Sequence, residues 1–140
     1  MGAVASVDDI RRIVALDHGL ASLSTLHGDG GIHVSVVNAG LIDHPGDGSP
    51  VGAFVSRRAT RKLANLHRHD RATLLWRAGW AWVAAEGRVE VVADDPALLR
   101  TIYTAAGGGE HEDWAEYDRV MAAEGRVGVL LHLDRIYVNP

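Results

Sequence analysis

Apolar residues recur along this chain in two rhythms, and the switches between them mark out its elements. Ile10, Ile13, Val14 and Leu16 repeat at helical spacing, which predicts a short helix over Asp8–Asp17 that Gly19 stops. From Leu20 the pattern changes to short runs rich in apolar and β-branched residues. Leu20–Leu26 and Ile32–Val37 read as strands, and the link His27-Gly28-Asp29-Gly30-Gly31 has the glycine chemistry of a hairpin turn. That link fits neither G-x-G-x-x-G nor a Walker lysine loop, and strands flank it on both sides, so it reads as a turn and not as a phosphate loop.

Ala39–Pro50, with Pro45, Gly46 and Gly48, is expected to be a polar loop, followed by a strand over Val51–Ser56. A helix opens near Thr60, a residue able to cap it, with Leu63 and Leu66 facing inward. Ala72–Trp76 is the next strand. Trp80–Val92 is a long one, whose end sets Glu86, Arg88 and Glu90 against Gly87, Val89 and Val91 on alternate faces. Asp95-Pro96 starts a helix that Gly107-Gly108-Gly109 ends, a further helix runs from about Glu112 to Ala123, and Val127–Val138 closes the chain as a strand. Six strands with short links and few helices predict a mainly β, α+β fold: a six-stranded antiparallel barrel with peripheral helices. There is no internal repeat and no linker, so residues 1–140 are expected to form one domain.

Composition narrows the possible functions. No apolar run approaches the roughly 20 residues of a membrane span, and the N-terminus lacks the basic and apolar regions of a secretory signal. It does carry the loose M-G-x-x-x-S acylation pattern, which many unmodified proteins share. The absence of cysteine removes disulfides, thiol nucleophiles and thiolate metal sites, and fits a cytoplasmic location. Charge is the most informative property. The stretch Arg57–Arg77 holds seven of the fourteen basic residues and a single acid, Asp70, on a chain whose net charge is −4. A cationic island on an otherwise acidic protein suits a small anionic ligand and not a nucleic acid, whose phosphates would be repelled everywhere else.

Within the island, Arg57-Arg58-Ala59-Thr60-Arg61-Lys62 lies between a strand and a helix. Cations and a hydroxyl there join the free N–H groups of a helix start, an arrangement that grips phosphate or carboxylate. No metal site is expected: H-E-x-x-H is absent, and His67 and His69 diverge on a helix. No serine occupies a nucleophile elbow, and no residue is assigned as catalytic. Trp76, Trp80 and Trp82 are expected at a subunit interface or pocket wall.

The ordered series His33-Val34-Ser35-Val36-Val37, Val51-Gly52-Ala53-Phe54-Val55-Ser56, Thr60-Arg61-Lys62-Leu63-Ala64-Asn65-Leu66, Arg71-Ala72-Thr73-Leu74 and Glu86-Gly87-Arg88-Val89-Glu90-Val91 spans nearly the whole chain. It resembles the split β-barrel flavoproteins related to pyridoxamine 5′-phosphate oxidase, and within them the actinobacterial branch, many members of which use the deazaflavin coenzyme F-420. The resemblance implies a homodimer with cofactor sites at the interface. It implies that Thr60, Arg61 and Lys62 grip the cofactor's phosphate with Arg57 in reach, and that His33, Ser35, Val36, Val37 and Asn38 border the ring. Apart from the resemblance, Trp76 and Arg77 join the candidate cofactor-binding residues, Arg77 either reaching a cofactor tail across the dimer or standing in solvent. In the FMN oxidases of this superfamily two cations stand where this chain has His33 and Asn38, so F-420 is the expected cofactor and FMN the alternative. Three functions follow: hydride transfer from reduced F-420 to a small electron-poor molecule, an FMN-dependent oxidase or reductase, or a non-catalytic flavin or tetrapyrrole binder.

Overall fold

Each predicted strand has one face that must leave water, and the strands satisfy this by curling around a shared interior. The structure, a computed structural model, describes residues 5–139, so most of the acylation pattern, Met1–Val4, lies outside the described residues. The elements in order are α1 (Val7–Val14), β1 (Leu20–Leu26), β2 (Ile32–Asp43), β3 (Pro50–Arg57), α2 (Arg61–Arg68), β4 (Arg71–Ala78), β5 (Ala81–Val92), α3 (Pro96–Tyr103), α4 (Trp114–Ala123), β6 (Arg126–His132) and β7 (Arg135–Val138). All ladders are antiparallel. The order β4-β1-β2-β3-β6-β5 closes into a six-stranded barrel because β5 also pairs with β4, and β7 adds to the edge of β5.

Two expectations need correcting. The region 39–50 is not one long loop: β2 runs on to Asp43, pairing Ala39–Asp43 with Pro50–Phe54, and only residues 44–49 turn. Its alternation was hidden because Gly40 and Ile42 are covered from outside while Ala39 faces the interior. The last strand is also two strands. β6 ends at His132, the chain turns through Leu133 and Asp134, and β7 then pairs with Val83–Glu86.

Packing comes in two parts. Leu23, Val37, Phe54, Leu74, Trp76, Val83, Val129 and Leu131 fill the barrel interior, to which α1 adds Ile10 and Ile13 and α2 adds Leu63 and Leu66. Outside the barrel, α3 lays Leu98 and Ile102 over Ile42, Val51, Ala53 and Leu130. Among the described residues, the outer face of the N-terminal half of β2 has no such cover. Ile32, Val34 and Val36 are 69%, 59% and 70% exposed, a stripe of three β-branched side chains in water.

The two helices after the barrel are tied by Arg100 of α3, whose Nε and Nη2 donate to Asp118 Oδ1 and Oδ2 of α4 at 2.9 and 2.5 Å. Arg100 holds the Asp118 carboxyl below its usual range. A depressed folded-state value means that the pair's contribution is fully present above the unfolded carboxylate pKa and is lost as pH falls through the lower folded value. Asp118→Asn is therefore expected to melt below the parent at neutral pH, with the difference closing as the medium becomes strongly acidic. Thermal melts at a series of pH values check this, and a gap independent of pH would refute it.

Candidate functional site

β2 and β3 pair only as far as Ala39 and Phe54, and there they part. β3 continues beside β6 to the pair Arg57–Arg126. The other half of β2, Ile32–Asn38, stays paired with β1 alone, leaving its second edge without a ladder partner among the described residues. α2 follows β3 directly and reaches β1, where Asn65 Nδ2 donates to the buried Thr25 Oγ1 at 3.1 Å. Thr25 lies opposite His33 in the β1–β2 register, which brings α2 to the split.

The start of α2 is built as the charge pattern suggested. Thr60 is the N-cap: its Oγ1 accepts from the Leu63 N–H at 3.4 Å and donates to the Arg57 carbonyl at 3.3 Å. Its hydroxyl is thus engaged locally, and the cations remain as the groups open to a ligand. They divide into two kinds. Arg57 pairs with Glu124 at 3.7 Å, Arg58 with Asp94 at 3.3 Å and Arg71 with Asp134 at 3.5 Å. Arg61 and Lys62 have no carboxylate within 4.0 Å among the described residues. Burial, with Arg126 adding to it, pulls the half-buried Lys62 ammonium below its usual pKa. A desolvated cation without a counter-charge is held at a cost that an anion would relieve. Arg58, Ala59, Thr60, Arg61, Ala64 and His67 line an open depression of about 480 Å³ here. A wider one, about 600 Å³, lies between β2 and α3 near Arg100 and Trp114 and contains none of the expected site residues.

The expected ring-bordering residues fall on two faces of β2. His33, Ser35 and Val37 point inward, whereas Val36 and Asn38 point outward. The two inward polar groups are unusual. His33 Nδ1 and Ser35 Oγ are buried without a hydrogen-bond partner, and so is Asn65 Oδ1 on the facing helix. Buried polar atoms normally find partners, so these three orphans, two on β2 and one on α2, stand out.

The tryptophan expectation fails for Trp76. It is 1% exposed in the barrel interior, with Nε1 donating to the Ala39 carbonyl at 3.0 Å, so it lines neither an interface nor a pocket. Trp82 lies across from Arg77 on the barrel's outer face, and Trp80, at the tip of the β4–β5 turn, is 92% exposed. Arg77 is exposed and donates to the Gly79 carbonyl at 2.8 Å, away from the α2 cations in sequence and in contact.

One group escaped the sequence reading altogether. His44, Glu90 and His132 meet at the far end of β3 from Arg57, drawn from three separate elements. His44 donates to Glu90 and holds its carboxyl below the usual range, with His132 contributing. No spacing motif announces residues so far apart in sequence; only the β3–β6 and β5–β6 registers bring them together.

A family model described as pyridoxamine 5′-phosphate oxidase matches residues 7–139. Solved structures share the fold at low identity. One is named F-420 reductase: 14% identity, 89% of this chain and 93% of that one, TM-score 0.62. Another is a pyridoxamine 5′-phosphate oxidase-related, FMN-binding protein from Nostoc punctiforme: 10% identity, 97% and 84% coverage, TM-score 0.67. A third is HutZ, a heme storage protein from Vibrio cholerae: 13% identity, 94% and 93% coverage, TM-score 0.65. No helix among the described residues is long and apolar enough to cross a membrane.

Proposed function

The chain belongs to the pyridoxamine 5′-phosphate oxidase family, and we propose that it is a cytoplasmic oxidoreductase that transfers a hydride from reduced coenzyme F-420 to a small electron-poor organic acceptor. The observation that carries this reading is the pair Arg61 and Lys62, cations without an acid at the capped start of α2. Four residues, about 6 Å along a helix axis, separate Arg61 from Asn65, which bonds Thr25 of β1, the residue paired with the unpartnered His33 of β2. Unpaired cations on α2 and unpartnered buried polar atoms on β2 and α2 fit a ligand that has an anionic tail and a polar ring.

When bound, the deazaflavin supplies the redox chemistry, so the protein's own tasks are to hold, orient and exclude water. Arg61 and Lys62 hold the tail, with Arg57 at the rim. His33 and Ser35 offer an imidazole nitrogen and a hydroxyl to ring polar groups. The unpaired edge of β2 over Ile32–Asn38 adds backbone N–H and C=O groups, which accounts for a strand whose side chains otherwise diverge. A second copy of the chain covers the exposed stripe Ile32, Val34 and Val36, making a homodimer whose sites adjoin the interface.

FMN is the second reading, favoured by the FMN-binding neighbour from Nostoc punctiforme, and a non-catalytic flavin or tetrapyrrole binder is the third, favoured by the heme storage protein. Fluorescence titration with F-420, FMN and heme, followed by reoxidation of reduced F-420 with quinone and enone acceptors, separates the three. The expected outcome is tight F-420 binding and acceptor-dependent reoxidation by a protein that sediments as a dimer. Stoichiometric FMN on the purified protein, or binding without turnover on any acceptor, would transfer the assignment to the second or third reading.

A further inference from the structure

We propose that His44, Glu90 and His132 form a binding site for a divalent cation of the zinc class, with solvent as the fourth ligand. The site is separate from the proposed cofactor site. Seven residue steps along β3 lie between Pro50, beside His44, and Arg57, beside α2, which is about 23 Å of strand.

The geometry is that of a metal centre slightly contracted. Glu90 Oε2 lies 2.6 Å from His44 Nε2 and 3.2 Å from His132 Nε2, and one ligating atom from each of the three residues lies within 4.8 Å of the others. Tetrahedral zinc with bonds of about 2.0–2.2 Å sets its ligand atoms about 3.3 Å apart, so admitting the ion requires the 2.6 Å contact of His44 with Glu90 to open by about 0.7 Å. Two imidazoles and one carboxylate are a borderline-soft donor set that favours zinc and its neighbours over magnesium or calcium. All three residues are half-buried, which leaves one side of the cluster open to water for a fourth ligand.

The surroundings supply what a zinc-binding imidazole needs behind it. Asp47 Oδ1, held by the Ser49 hydroxyl and N–H at 2.7 and 2.9 Å, stands 3.7 Å from His44 Nδ1. With the Nε2 lone pair turned to a metal, Nδ1 carries the proton, and Asp47 accepts it once the 3.7 Å gap closes to hydrogen-bond distance. The Gly46 N–H that now donates to Nδ1 at 2.9 Å lies on an exposed turn, where water replaces its partner. At His132, the exposed Arg88 Nη2 sits 3.1 Å from Nε2 and 4.0 Å from the second oxygen of Glu90. A cationic side chain thus already sits beside the cluster, and the half-exposed Arg88 has solvent to swing into as the ion takes its place. Such an ion would pin the 44–49 turn to β5 and β6.

The test uses the full chain, stripped of metal with a chelator and titrated with Zn²⁺ by calorimetry, and with Co²⁺ by visible absorption. One ion per chain is expected, with the ligand-field bands of a low-coordinate Co²⁺ site and a raised melting temperature. His44→Ala and His132→Ala should each weaken binding by about a hundredfold or more, and Asp47→Ala by about tenfold. The His67→Ala/His69→Ala double variant, which removes two exposed imidazoles elsewhere, should bind as the parent does. Glu90→Gln preserves shape and removes the charge, so its loss of affinity stands even where a histidine variant folds poorly. Parent protein that binds no stoichiometric ion, or affinity unchanged in His44→Ala and Glu90→Gln, would overturn the proposal. Either result leaves the F-420 reading untouched, because that reading is scored on a different ligand.

Discussion

Arg61→Ala combined with Lys62→Ala is expected to weaken F-420 binding by about 10²- to 10⁴-fold while leaving thermal stability close to the parent. A hydrogen bond to a charged group contributes about 1.5–3 kcal/mol, so losing two costs about 3–6 kcal/mol, with each 1.4 kcal/mol worth about tenfold. Arg61 is exposed and contributes at the lower end of that range, because solvent screens it. Lys62 is half-buried with no acid beside it, and contributes more. Stability should hold because neither side chain makes an ion pair among the described residues, and removing a desolvated ammonium relieves a cost. The informative control is Arg58→Ala. Arg58 has the same charge and lies three residues away, but Asp94 already neutralises it at 3.3 Å. It should change affinity far less than the double variant. Equal losses from both would mean that only the general field of the island matters, and no loss from either would move the anion to another part of the molecule. Raising the salt concentration should weaken the parent's binding and hardly affect the double variant's, since the screened charges are those removed.

The barrel and the helix start were legible in the sequence for one shared reason: both are local. Alternation in Glu86–Val91 reports a strand with one wet and one dry face, and that is how the residues lie in β5. The stretch Thr60–Leu66 reports a capped amphipathic helix, and Thr60 does cap α2 while Leu63 and Leu66 enter the core. What was not legible depends on partners distant along the chain. Residues 39–43 carry Gly40 and Ile42 on a face that Ala105 and Ala106 and the preceding helix α3 cover, so the pattern lost its polar positions and read as a loop. Trp76 could be assigned to core or interface only once the direction of β4's inner face was known. The counter-ions Glu124, Asp94 and Asp134, which reduce the seven-cation island to a few unpaired charges, come from three connections elsewhere in the chain. The His44–Glu90–His132 cluster follows the same rule, being a product of register and not of spacing.

Register also sets the largest expected effect on folding, at Gly87. This residue sits where β5 exchanges neighbours: Val83–Glu86 pair with β7, Val89–Val92 pair with β6, and the chain turns between those two strands directly over Gly87. A Cβ there would lie 2.0 Å from the His132 carbonyl oxygen and 2.9 Å from its carbon. The obstacle is backbone, held by the Asp134 N–H donating to the Glu86 carbonyl at 3.0 Å, and it cannot rotate away as a side chain would. Gly87→Ala is therefore expected to destabilise the protein by about 3 kcal/mol, the upper end of the range for overpacking, measured by urea denaturation. Gly79→Ala isolates the alternative cause. Gly79 has φ +61° with nothing within 4 Å of an added Cβ, so its substitution meets only the left-handed backbone penalty, about 1 kcal/mol. Similar losses at the two sites would show that glycine's backbone freedom, and not the close approach, is what position 87 requires. Because the displaced carbonyl belongs to His132, Gly87→Ala also separates the zinc proposal from the coenzyme reading: it should impair Zn²⁺ binding at the β6–β7 turn while leaving F-420 affinity at α2 near that of the parent, provided both are measured where the variant is folded.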